Sequence, residues 1–270
     1  MTVTSVPPFR RDVLFVTLDS CRYDTFAAAR APNLKALGPL HRAYSPSHFT
    51  YGAHAAFFMG FTPGDPARAE PYVNPKYAKI FRMGGGGHAG AARAYVELEG
   101  RSIVDGFRRL GHAAIGTGAV GWFDPATATG RVLAADFGQF HYGAAGGLRE
   151  QRAWLLAAVA AARAAAQPVF AVLNLAETHV PYYHEGAPWD PARNPCVPFA
   201  RDNDAAEARR RQIACVEWID AELAPLLAAF AEAAIVVCAD HGDCWGEDGL
   251  WEHGIHHRAT LEVPLLFRLP

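Results

Sequence analysis

The chain has 270 residues with a formal charge of −2, and its composition is 51% hydrophobic and 19% charged. That balance excludes a disordered segment and a basic nucleic-acid binder: it can bury a core, yet it lacks the cationic stripe that contacts to a phosphate backbone require. A single α/β domain over residues 1–270 is the expected organisation at this length.

Residues 1–11 hold no apolar run of signal-peptide length, which sets a cytoplasmic location as the expectation. Residues 12–18 (DVLFVTL) form a continuous apolar and β-branched run, the pattern of a strand buried on both faces of a parallel sheet. The run ends on Asp19. A carboxylate there must be paired, hydrated or bound to metal, so Asp19 reads either as the N-cap of the following helix or as a ligand. Residues 50–60 (TYGAHAAFFMG) read as a helix that Thr50 opens. By spacing alone that threonine is an N-cap, and the functional alternative is a nucleophile.

Pro- and Gly-rich loops follow at residues 63–75 and 84–90. The run Gly84 to Gly87 lacks the Lys and Ser/Thr of a phosphate-binding P-loop and reads as a turn. Helices are expected at residues 102–110, 148–166 and 204–230, and weaker strands at 112–115 and near 131–134. The most apolar helical stretch, 154–166, is interrupted by Arg163 and is too short to span a bilayer, so no membrane segment is expected.

Residues 168–175 (PVFAVLNL) and 234–239 (AIVVCA) repeat the buried-strand pattern, and 263–269 (VPLLFRL) is a fourth such run. Glu177 and His179 follow the first of these. His179 is a candidate for binding substrate oxygens, ligating a second metal or protonating a leaving group, against the ordinary reading of a structural loop histidine. Asp240-His241-Gly242-Asp243 follows the second and sets a carboxylate beside an imidazole. That donor pair suits Zn, Mn or Fe, whereas Ca and Mg favour all-oxygen shells. A turn with an aspartate cap is the alternative. His253, His256 and His257 crowd the loop before the last strand, and the five cysteines, odd in number and without a CxxC pair, read as free thiols.

Strands alternating with helices imply a mostly parallel central sheet between helical layers, with the ligand outside the carboxyl ends of the strands. Asp19 and the Asp240/His241 pair end two of those strands and should point into one crevice.

The segments VLFVTLDSCRYDT, FTYGAHAAFFMGFTP, RSIVDGFRRLGHAAIGTGAVGWF, LAETHVPYY, ADHGDCWGEDGLWEHG and LEVPLLFRLP together resemble, in order, the sulfatase-like branch of the alkaline phosphatase superfamily. The resemblance implies that α/β fold, without the C-terminal subdomain into which larger relatives continue past the strand that here ends at Pro270. It implies Thr50 as the nucleophile, forming a covalent phospho-threonine. It also implies one or two divalent ions, Mn, Zn or Fe before Ca or Mg, held by Asp19, Asp240 and His241. His179, His253, Glu177 and His54 become candidates for binding substrate or a second metal.

Three departures shape the function. Gly52 and Ala53 stand where the family has Pro and Ser, Ser20 replaces a second calcium-binding Asp, and no cysteine occupies the nucleophile position. Formylglycine chemistry is thereby disfavoured. The expected activity is hydrolysis or transfer on small-molecule phosphate mono- or diesters, with no nucleic-acid or membrane partner. The alternatives are a sulfate-ester or phosphonate hydrolase on the same site, and a non-catalytic metal-binding scaffold.

Overall fold

A computed structural model describes residues 10–60, 102–143 and 147–269, together with two short strands between the first two stretches. The glycine run at 84–87 and the loops at 63–75 and 84–90 lie outside the described residues. In chain order the first elements are β1 Val13–Leu18, α1 Tyr23–Ala28, α2 Pro32–Lys35, β2 His41–Tyr44 and α3 Thr50–Met59. Then come β3 Arg82–Met83, β4 Val96–Glu97, α4 Ile103–Arg109, β5 Ala113–Gly118, α5 Ala128–Ala134 and β6 Gln139–Tyr142. The remainder comprises α6 Leu148–Ala164, β7 Val169–Leu175, α7 Ala205–Ala229, β8 Ala234–Ala239, β9 Cys244–Trp245, β10 Trp251–Glu252, α8 Arg258–Leu261 and β11 Glu262–Arg268.

Seven strands form the central sheet in the order β2-β11-β8-β1-β7-β5-β6. β1 runs parallel to both β7 and β8, β5 runs parallel to β7 and β6, and β11 is antiparallel to its two neighbours. The register sets Leu18 level with Leu175 on one side and Ala239 on the other. The residues that follow these three strands therefore emerge side by side at one edge of the sheet.

Alternation within β1 fills both faces of the sheet. Leu14, Val16 and Leu18 pack with Leu155 and Val159 of α6 and Val216, Ile219 and Leu223 of α7. Val13 and Phe15 turn the other way, toward Tyr51 and Phe58 of α3, Val104 of α4 and Leu133 of α5. Each fully buried aliphatic side chain contributes about 1.5–3 kcal/mol, so these two layers fix the sheet edge on which the site is built.

Two edge strands depart from the sequence expectation. Residues 131–134, expected to be extended, are helical, because the Thr127 hydroxyl accepts the Gly130 N–H and caps α5 while Leu133 is buried beneath it. The strand is instead β6 (QFHY), and β2 (HRAY), which was not expected at all, is an edge strand largely exposed to solvent. All five cysteines are buried free thiols, as expected.

Candidate functional site

Asp19, Asp240 and His241 converge at the carboxyl ends of β1 and β8, and all three are fully buried. One ligand atom from each lies within 4.8 Å of the other two. The His241 Nε2 stands 3.6 Å from Asp19 Oδ1 and 3.8 Å from Asp240 Oδ2, while its Nδ1 pairs with the Gly242 carbonyl at 3.0 Å. That pairing requires the proton on Nδ1 and leaves the Nε2 lone pair facing the two acids.

The capping readings of Asp19 and Thr50 both fail. The helix after β1 has Arg22 at its N-cap with no side-chain cap, so Asp19 does not serve it. Phe49, not Thr50, is the N-cap of α3, and Thr50 is that helix's first residue. Its hydroxyl turns inward instead, 3.3 Å from Asp19 Oδ2 and 3.3 Å from His241 Nε2. Gly52 has a local cause as well: a Cβ there would stand 2.4 Å from Ser47 Oγ and 3.0 Å from the Phe49 ring.

Burial dominates the electrostatics. It raises Asp19, with the Asp240 charge adding to the effect, and it pushes Asp240 up to about 7 despite amide hydrogen bonds from Ser20 and His241. The same burial lowers His241 to about 4, so its approaches to the two acids are not ion pairs at neutral pH. Asp240 Oδ2 is buried with no hydrogen-bond partner. Two desolvated carboxylates, an orphaned oxygen and a neutral imidazole lone pair are the donor set that a divalent cation satisfies, and the residues fit one.

A second group lies against the first, formed by His241, Asp243 and His253. Asp243 Oδ1 accepts from His253 Nδ1 at 2.8 Å, its Oδ2 accepts from Tyr182 at 2.8 Å, and Trp245 Nε1 donates to the same Tyr182 hydroxyl at 2.8 Å. Burial opposes charge on His253, but the hydrogen bond and charge of Asp243, with Asp19 and Glu252, outweigh it and raise His253 to about 9. Asp243 had no role in the sequence-based expectation; an aspartate three residues beyond Asp240 in the DHGD run was the available signal. His179 joins this corner, its ring edge-on to His253 at 5.1 Å.

The other two candidates belong to neither three-residue group, although His54 Nδ1 stands 3.8 Å from Asp240 Oδ2. His54 is fully buried beneath Thr50, with Nδ1 on the Thr50 carbonyl and Nε2 on Thr17 Oγ1, both at 2.9 Å, and burial lowers it to about 4. Both its nitrogens are occupied by protein, which leaves neither for substrate. Glu177 belongs to neither cluster: its Oε1 accepts the Leu148 N–H at 3.0 Å, at the start of α6. The helix terminus, with its unsatisfied amides, draws that carboxylate away from the crevice.

No family model matches the sequence, and no curated protein does. Solved structures do match in fold. The lipoteichoic acid synthase LtaP from Listeria monocytogenes superposes with a TM-score of 0.62 at 10% identity, over 96% of this chain and 65% of its own. The C-terminal periplasmic domain of the phosphoethanolamine transferase EptC from Campylobacter jejuni gives 0.64 at 12% identity, over 96% and 78%. A protein in the alkaline phosphatase superfamily from Vibrio parahaemolyticus gives 0.55 at 14% identity, over 96% and 60%. The fold is that of the alkaline phosphatase superfamily. The chain thus spans less than two thirds of the LtaP and Vibrio structures, and at these identities the likeness speaks for architecture alone. Among the described residues no helix is long and apolar enough to cross a membrane.

Proposed function

We propose that this protein is a metal-dependent phosphoester hydrolase or transferase that acts on phosphate mono- or diesters through Thr50. The observation that carries the reading is the Thr50 hydroxyl, turned away from any capping role and 3.3 Å from both Asp19 and His241. Named relatives in fold transfer phosphoethanolamine or build lipoteichoic acid, which agrees with phosphoryl chemistry.

Asp19, Asp240 and His241 would hold the cation. When bound, a divalent ion supplies Lewis acidity, lowering the cost of ionising Thr50 and offsetting charge on the phosphoryl oxygens. Thr50 Oγ1 supplies the electron pair for a new O–P bond as the bond from phosphorus to the leaving oxygen breaks. Its hydroxyl proton leaves to solvent. The His253 imidazolium, held by Asp243, would offset the growing negative charge. Water or an acceptor alcohol then displaces Thr50 from phosphorus and regenerates its hydroxyl.

The test is Thr50→Ala with Mn present, assayed on nitrophenyl phosphate mono- and diesters. Removing a nucleophile costs on the order of a millionfold in kcat. Intact-mass spectrometry of the wild type after an acid quench should find one phosphoryl adduct, absent from the variant. Full turnover by Thr50→Ala would remove Thr50 from the reaction.

A further inference from the structure

Gln212 lies on the inward stripe of α7, among Arg211, Cys215, Val216 and Ile219, and is fully buried. A buried side-chain amide is tolerated when its donors and acceptor are paired, and here every one is. Its Nε2 donates to the Ser20 carbonyl and to the Thr178 carbonyl, both at 2.9 Å. Its Oε1 accepts from the Arg22 N–H at 3.1 Å and from Thr25 Oγ1 at 2.6 Å. The orientation of the amide is dictated, since two partners are carbonyl oxygens and a third is a backbone N–H.

These partners are not ordinary core groups. Ser20 sits at φ 60°, in the left-handed region that favours glycine, directly after Asp19. From that conformation its N–H donates to Asp240 Oδ1 at 3.1 Å and its hydroxyl donates to Asp19 Oδ1 at 3.2 Å. Thr178 in turn donates from its hydroxyl to the Asp19 carbonyl at 2.7 Å. The amide therefore grips the segment that carries Asp19 and the loop after β7 that hydrogen-bonds it, while touching neither acid. Strained backbone of this kind persists where the surroundings over-determine it.

We propose that Gln212 is a positioning residue that clamps Ser20 in its left-handed turn and so fixes the Asp19 and Asp240 carboxylates for a divalent cation. The inference rests on the metal site of the proposed function. It adds to that site a residue some 190 positions away in sequence, on an element that supplies no ligand. A merely structural amide would support α7 and leave cation binding unchanged.

The experiment is calorimetric titration of Mn²⁺ into the full chain, well below the unfolding temperature, for the wild type, Gln212→Met, Ser20→Gly and the double variant. Gln212→Met should weaken Mn²⁺ about 10- to 100-fold, the usual effect of losing a group that orients metal ligands. Glycine adopts the left-handed turn without strain, so in the Ser20→Gly background the same change should cost less than about threefold. Thr25→Val, which removes one of the four amide contacts, should weaken Mn²⁺ in the same direction by less, and it carries the test if Gln212→Met does not fold. An unchanged Mn²⁺ affinity in a folded variant overturns the clamp, as does an equal loss in both backgrounds. Failure of the wild type to bind Mn²⁺ is a different result: it removes the metal reading, and the clamp's role falls with it.

Discussion

Asp240 and Glu177 are both fully buried acids that follow strands of the central sheet, both are pushed by burial up to about 7, and each leaves one oxygen without a partner. Their surroundings nonetheless differ in kind. Asp240 is grouped with a second carboxylate and a neutral imidazole, both within reach of the Thr50 hydroxyl, whereas Glu177 faces the N-terminus of the 17-residue helix α6. A perturbed, buried acid is thus not by itself a reactive centre. What separates the two is how many reactive groups converge on the same point.

The largest expected contrast is in cation binding. Asp240→Asn should weaken Mn²⁺ on the order of a thousandfold and remove turnover with it, because a ligand is lost and the remaining acid stays desolvated. Glu177→Gln should leave the Mn²⁺ affinity within about twofold of the wild type. Comparable losses in the two variants, read by calorimetric titration, would erase the distinction between the regions.

The next effect is the pH dependence of that affinity. Cation binding needs the carboxylates ionised, and Asp240 titrates at about 7 with Asp19 also raised by burial. Affinity should fall as the pH drops through about 7, by at least about tenfold per unit, with protons released on binding. His241, lowered to about 4, adds nothing until the solution is far more acidic. An affinity that stays flat from neutral into mild acid would contradict the raised acids.

The smallest effect concerns stability. Glu177 is raised from 4.5 to about 7, so the folded chain holds a proton there that the unfolded chain has lost. Its contribution is fully present below the unfolded value and disappears as pH rises through the folded one, a loss of about 3 kcal/mol across that window. Glu177→Gln is neutral throughout and should be the more stable protein in mild alkali, with little difference in acid. Thermal unfolding at two pH values reads this directly, and identical pH slopes for both proteins would show that Glu177 is not so perturbed.

The same contrast explains how much was legible in the sequence. The strands β1, β7 and β8 could be read because they are buried on both faces and carry unbroken apolar runs. The edge strands β2 and β6 are short and half wet, so their composition resembles a loop, and a Thr127 cap converts the segment expected to be a strand into helix. Asp19, Asp240 and His241 were legible because a strand end fixes where its next residue points. Glu177 also follows a strand, yet its side chain answers to a helix terminus 29 positions earlier in the chain. Asp243 and Gln212 act through partners that only the folded topology brings together, Tyr182 at 61 positions and Ser20 at 192. No local pattern reports such pairs.

The central claim is that the convergent acids, and not the isolated one, hold a divalent ion. Anomalous diffraction at the Mn edge, from crystals of the wild type soaked in Mn²⁺, tests it most directly. The account predicts a peak in contact with Asp19, Asp240 and His241, and none beside Glu177. Crystals that give no peak among those three residues, or a peak at Glu177 alone, would contradict it.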